Sequence, residues 1–182
     1  YVPATIRSRC KLLTLQKLKN DEVLKVLEKM NLALEEKELL FYSKVSGGSV
    51  GDAIYFLNHK TLPFYKNLCN YLFNIDNFNE VATTKMINIV VEKKNNLILA
   101  FFKFINLLFN KLIKKMFLKK YSTTIEEEQL LIEKFSKLYN KNSIFYIIDI
   151  IKLKYTNYVN LNTDIYITLY TLLMELHRNV KK

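Results

Sequence analysis

Residues that interrupt helices are scarce in this chain. Its three glycines, Gly47, Gly48 and Gly51, crowd into five consecutive residues, and Pro3 and Pro63 are the only prolines among 182 residues. A sandwich or barrel needs turn signals about every 8 to 12 residues, so the shortage argues against an all-β architecture. Leu, Lys, Glu and Ile run throughout, and all propagate helices at little cost. The expectation is an all-α protein. With 50% hydrophobic residues and 25% charged ones, the chain has enough apolar material for one large domain or two small ones.

The formal charge of +11 has two readings. One is a nucleic-acid surface. The other is general basicity in a lysine-rich composition, favoured because the lysines are scattered and many stand at helical spacing from a glutamate. Cys10 and Cys69 lie far apart, with no CxxC pair and no histidine at ligand spacing. That excludes an ordinary zinc site and predicts free thiols in a reducing, cytoplasmic setting. His59 and His177 fall near expected helix ends, where a cap or surface role is the ordinary one. No nucleophile–base pair or carboxylate dyad stands out. The opening Tyr1-Val2-Pro3 lacks the charged-then-apolar pattern of a secretory leader, so none is expected.

Along the chain, Asn20 reads as the N-cap of a first amphipathic helix, with Asp21 and Glu22 in its opening turn and Val23, Leu24, Val26, Leu27 and Met30 on one face. A second helix is expected from about Glu35 to Val45, stopped by Gly47-Gly48 in a positive-φ cap. Ser49 and Asp52 read as a capping box for a third helix ending near Asn58. Thr61-Leu62-Pro63 reads as a linker, with Pro63 in the first turn of the next helix. Further helices are expected at about Phe64–Asn74, Asn79–Glu92, Leu97–Lys119, Ile125–Tyr139, Ser143–Tyr158 and Thr163–Asn179. The segment Ser143–Tyr158 has an apolar run that suits strand or helix, and its length favours helix. Leu97–Lys119 is the most apolar, but Lys103, Asn106 and Asn110 interrupt it, and Lys111, Lys114 and Lys115 shorten it below the roughly 20 apolar residues of a membrane span. A buried central helix is expected instead. Glu126-Glu127-Glu128 would oppose the dipole at the start of the helix that follows.

The N-terminal stretch differs. Pro3 to Cys10 would form a short helix, and Lys11 to Leu15 a short strand that needs a sheet from elsewhere. Pro3-x-Thr5-Ile6-x-Ser8-Arg9-Cys10 followed by an apolar strand resembles the end of the AAA+ core in clamp-loader subunits, most closely the delta-prime subunits of bacterial DNA polymerase III. Ser46-Gly47-Gly48-Ser49-x-Gly51-x-Ala53 is similar to the Gly-Ser-x-Gly-x-Ala of the same family's lid. Val159-Asn160-Leu161-Asn162 resembles the Asn-Leu-Asp turn before its final helix.

The resemblance implies three parts: residues 1–16 as the edge of the AAA+ core, 17–60 as a three-helix lid, and 61–182 as a helical collar that assembles the ring. It implies that Arg9 is presented to ATP held by a neighbouring subunit, where a planar, permanently charged guanidinium suits a γ-phosphate. ATP-binding relatives place an arginine at the start of the third lid helix; here Gly51 and Asp52 stand there, and a carboxylate repels phosphate. The family's phosphate loop, acidic Mg²⁺ motif and zinc cysteines lie upstream of the Ser-Arg-Cys motif, so a C-terminal fragment or truncated frame is expected. No cofactor or metal is expected in this chain. The implied role is a subunit not catalytic alone, working with gamma/tau-type and delta-type subunits, the sliding clamp and primed DNA, without a membrane. The rivals are a gamma/tau-type ATPase fragment and an unrelated basic helical module that binds nucleic acid.

Overall fold

The computed structural model describes residues 3–11, 16–30, 34–92, 97–118 and 121–180. Among them the chain is all-helical. The elements are α1 (Ala4–Arg7), α2 (Asn20–Lys29), α3 (Glu36–Val45), α4 (Val50–Asn58), α5 (Thr61–Phe73), α6 (Glu80–Val91), α7 (Ile98–Ile113), α8 (Glu126–Leu138), α9 (Lys141–Leu161) and α10 (Ile165–Arg178). A π-helical turn, Lys114–Leu118, extends α7. The expected strand over Lys11–Leu15 falls largely on 12–15, outside the described residues. No described helix is long and apolar enough to cross a membrane.

Several helix ends follow the sequence, and three do not: where a turn is expected over Val159–Asn162, α9 runs on through Leu161 and only Asn162 leaves it. Asn20 is not the cap of α2 but its first residue; Lys19 precedes it, and its backbone N–H donates to the Glu22 carboxylate at 2.7 Å. Ser49 caps α4 by accepting the Asp52 N–H at 3.2 Å. The expected linker at Thr61-Leu62-Pro63 is already helix. Lys60, at φ +46°, turns the chain in the left-handed region, and the fully buried Thr61 starts α5. Pro63 fits because the first turn of a helix has no partner for its N–H groups. Asn162, at φ +51°, reverses the chain after α9, and Asp164 caps α10 by accepting the Ile167 N–H at 2.8 Å.

The core is organised on α7. Phe101, Phe104, Ile105, Leu108, Phe109 and Leu112 are fully buried. Phe104 meets Phe56 of α4 at 4.8 Å and Tyr65 of α5 at 4.7 Å between ring centroids, and Tyr65 meets Phe41 of α3 at 5.4 Å. Aromatic packing thus crosses the boundary between residues 17–60 and 61–182. On the far side Phe109 packs on Phe135 and Tyr139 of the α8 end, both at 5.6 Å. The Tyr139 hydroxyl donates to the Leu176 carbonyl at 2.9 Å, anchoring α10.

The turn after α3 is the tightest joint. Gly47 and Gly48 have φ of +59° and +86°, and the Leu18 N–H donates to the Gly48 carbonyl at 3.1 Å. A Cβ on Gly48 would lie 2.4 Å from the Leu18 carbonyl oxygen, whereas one on Gly47 would meet nothing within 4 Å. Gly47→Ala is expected to cost only the left-handed backbone, about 1 kcal/mol. Gly48→Ala adds a backbone collision and should cost at least about twice that, read as the difference in urea denaturation midpoints at equal slope. Equal losses for the two variants would contradict the tight joint.

Candidate functional site

The candidate residues lie at the N-terminal end. α1 is one turn long, and its exit is closed by two local bonds: the Arg9 N–H donates to the Ile6 carbonyl and the Ser8 hydroxyl to the Thr5 carbonyl, each at 3.1 Å. Ser8 therefore serves the turn. Arg9 and Cys10, which follow it, are exposed. A guanidinium held at the end of a short helix and open to solvent is free to meet an anion on another molecule. Arg7 closes α1.

The second motif stretch meets the chain that follows the first one. Leu18 is bonded to Gly48, so the segment leaving the arginine turn is pinned to the glycine turn between α3 and α4. Asp52 occupies the first turn of α4, and its carboxylate forms an ion pair with Lys103 of α7. It does not reach back to the Ser49 N–H as the capping box requires. The capping half carried by Ser49 stands; the other half is replaced by a tie to the central helix.

Sequence reasoning missed a buried charged cluster. Of the three glutamates at the start of α8, Glu127 lies 3.5 Å from Lys66, while Glu128 is fully buried. One Glu128 oxygen accepts from Lys111 Nζ at 2.6 Å; the other accepts from the Tyr65 hydroxyl at 3.0 Å and the Thr124 N–H at 3.2 Å. Lys111 also donates to the Thr124 hydroxyl at 3.0 Å. The signal was in the spacing. Lys111 follows Phe104 and Leu108 by seven and three residues, and Glu128 precedes Leu131, Ile132 and Phe135 by three, four and seven, so each charge sits on its helix's apolar stripe.

Burial pushes the Lys111 ammonium below its usual range, with Glu128 opposing. It raises the Tyr65 phenol well above 10, and Glu128 adds to that. The Cys69 thiol is likewise held up by burial and then by Glu128, which leaves it protonated and unreactive. His59 and His177 have structural partners. His59 Nδ1 bonds the Tyr55 carbonyl at 2.9 Å, and His177 Nδ1 bonds the Ile75 carbonyl at 2.8 Å, so each Nδ1 carries the proton. No group of three or more His, Cys, Asp or Glu placed to hold a metal occurs among the described residues.

No family model, curated protein or solved structure matches this chain. A functional reading therefore has to come from the residues themselves.

Two outcomes follow, one from the buried cluster and one from the buried phenols. Lys111→Met strands a buried carboxylate and should cost about 3–5 kcal/mol in urea denaturation. Adding Glu128→Gln, which can still accept from Tyr65 and Thr124, should recover much of that loss. Alkaline pH supplies the second test. The phenols of Tyr42, Tyr55, Tyr65, Tyr71 and Tyr139 are all raised, chiefly by burial. A raised folded-state pKa gives stability that is complete below the unfolded value near 10 and is lost as pH rises beyond it. Lys111 has the opposite sign but is a single group. The melting temperature should therefore fall steeply above about pH 10, together with the rise of tyrosinate absorbance.

Proposed function

We propose that this chain is the C-terminal part of a clamp-loader subunit of the delta-prime type, which hydrolyses no ATP itself and donates Arg9 to a neighbouring subunit's ATP site. In this reading residues 1–16 end an AAA+ core, α2 to α4 form the lid, and α5 to α10 form the collar that joins gamma/tau-type and delta-type subunits in a ring. The assembled ring would open the sliding clamp and place it on primed DNA.

The observation that carries the reading is the Leu18–Gly48 bond, because it joins the two stretches, residues 3–18 and 46–54, on which the resemblance rests. The exposure of Arg9 suits its role. Asp52 favours the non-hydrolysing type over the gamma/tau type. Its carboxylate is engaged with Lys103, and neither it nor Gly51 supplies the cation that a phosphate sensor needs.

The test is ATP turnover by the ring assembled around the full-length subunit. An arginine finger contributes roughly 10³ to 10⁵ in rate at the site it completes. Arg9→Ala should leave the ring intact by size-exclusion chromatography. It should reduce clamp- and DNA-stimulated ATPase and slow clamp loading, by less than the single-site factor because the other sites continue. Arg9→Lys should rescue poorly, since an ammonium lacks the planar fork. Undiminished loading by Arg9→Ala, where ATP turnover limits the rate, would sink the proposal.

A further inference from the structure

Cations and exposed rings come together where the end of α7 meets the start of α9. The π-helical turn Lys114–Leu118 widens the end of α7 and sets Phe117 beside Phe145 of α9, with ring centroids 5.6 Å apart. Lys141, the first residue of α9, places its Nζ 4.8 Å from the Phe117 centroid, and Lys115 places its Nζ 5.1 Å from that of Tyr121. Phe117, Phe145 and Tyr146 nevertheless remain 43%, 50% and 52% exposed. π turns of this kind recur at functional sites. Around the same helix end, Tyr146, Asn140, Asn142 and Arg178 line an open cavity of about 550 Å³.

The charge balance here is one-sided. The first turn of α9 carries no acid, and the π turn opens on Lys114 and Lys115. The nearby acids each have a cation of their own within reach: Asp149 lies 3.9 Å from Lys152, and Glu175 lies 3.6 Å from Arg178. Exposed aromatic faces beside cations that form no ion pair among the described residues suit a polyanion that carries flat apolar groups. Unpaired nucleotides are that combination, whereas a duplex hides its base faces. An anionic membrane fits less well, because insertion of the rings would carry the exposed polar Asn142 of the same helix turn toward the apolar layer.

We propose that this surface binds single-stranded nucleic acid, with phosphates held by Lys114, Lys115 and Lys141 and bases stacked on Phe117, Phe145 and Tyr146. The inference goes beyond the role of Arg9 and does not depend on it. The binding is local and modest, unlike the tight whole-surface binding of a dedicated nucleic-acid module.

The experiment is fluorescence anisotropy of a labelled oligothymidylate of about 20 nucleotides, long enough to cross such a patch, with the complete chain. Neutralising about three phosphates predicts binding that weakens about 20-fold between 50 and 200 mM salt. Phe117→Ala with Phe145→Ala should weaken binding at least about fivefold with the salt dependence kept, because only stacking is removed. Lys115→Glu with Lys141→Glu should weaken it further and flatten the salt dependence. Lys25→Glu with Lys29→Glu, on exposed positions of α2, makes the same charge change elsewhere and should leave binding within about twofold, since the patch phosphate contacts are untouched. Circular dichroism checks each fold, and the lysine pair decides if the ring variant unfolds. Equal losses in both lysine pairs, tighter binding of a duplex of equal length, or capture by phosphatidylserine vesicles without oligonucleotide binding would overturn the proposal.

Discussion

A helix buried along most of its length needs a way to end, and α7 ends on a charge. Seven of its apolar side chains, Ala100 among them, are fully enclosed, so every neighbouring helix is positioned by what it offers that surface. The Lys111 ammonium near its C-terminus cannot be left unpaired inside the protein, because isolated buried charges cost several kcal/mol. Glu128 meets it, Tyr65 and the Thr124 amide complete the carboxylate's shell, and α5, α7 and α8 are fixed to one another in a single register. Apolar packing alone tolerates sliding by a turn. A buried pair with four directional bonds does not.

The helices around this axis are joined with few glycines. Two of the reversals use Lys60 and Asn162 in the left-handed region. Asparagine accepts that conformation readily; lysine does so at a cost of about 1 kcal/mol or more. Only the α3–α4 turn needs glycine for a close approach, since the Leu18 carbonyl occupies the space of a side chain. The concentration of glycine in one stretch of the sequence thus marks the place where two backbones touch.

Much of the architecture was legible. The scarcity of glycine and proline gave an all-α chain, the apolar run from Leu97 gave the central helix, and Ser49 and the paired glycines gave their turn. Asn20 was misplaced by one residue because Glu22 stabilises the turn through the Lys19 amide, a bond that leaves the cap side chain unused. Thr61 reads as linker in the sequence because a left-handed lysine gives no compositional sign. Glu128 was assigned to the helix dipole because three glutamates in a row look alike until their angular positions are compared with Leu131 and Phe135. The exposed Arg9 stood out in the sequence through its motif. The π turn that brings Phe117 against Phe145 had no such mark, since α-helical and π-helical spacing differ by one residue in the hydrogen-bond ladder.

The joint at Lys60 has a mechanical consequence. Only His59 and Lys60 separate α4 from α5, and on either side of them Phe56 and Tyr65 grip the same Phe104 while Asp52 holds Lys103. Rotation of α2–α4 against the remaining helices would have to tear aromatic contacts and an ion pair at once. The two segments are therefore coupled through α7, and a displacement of α4 has to carry Lys103 and Phe104 with it.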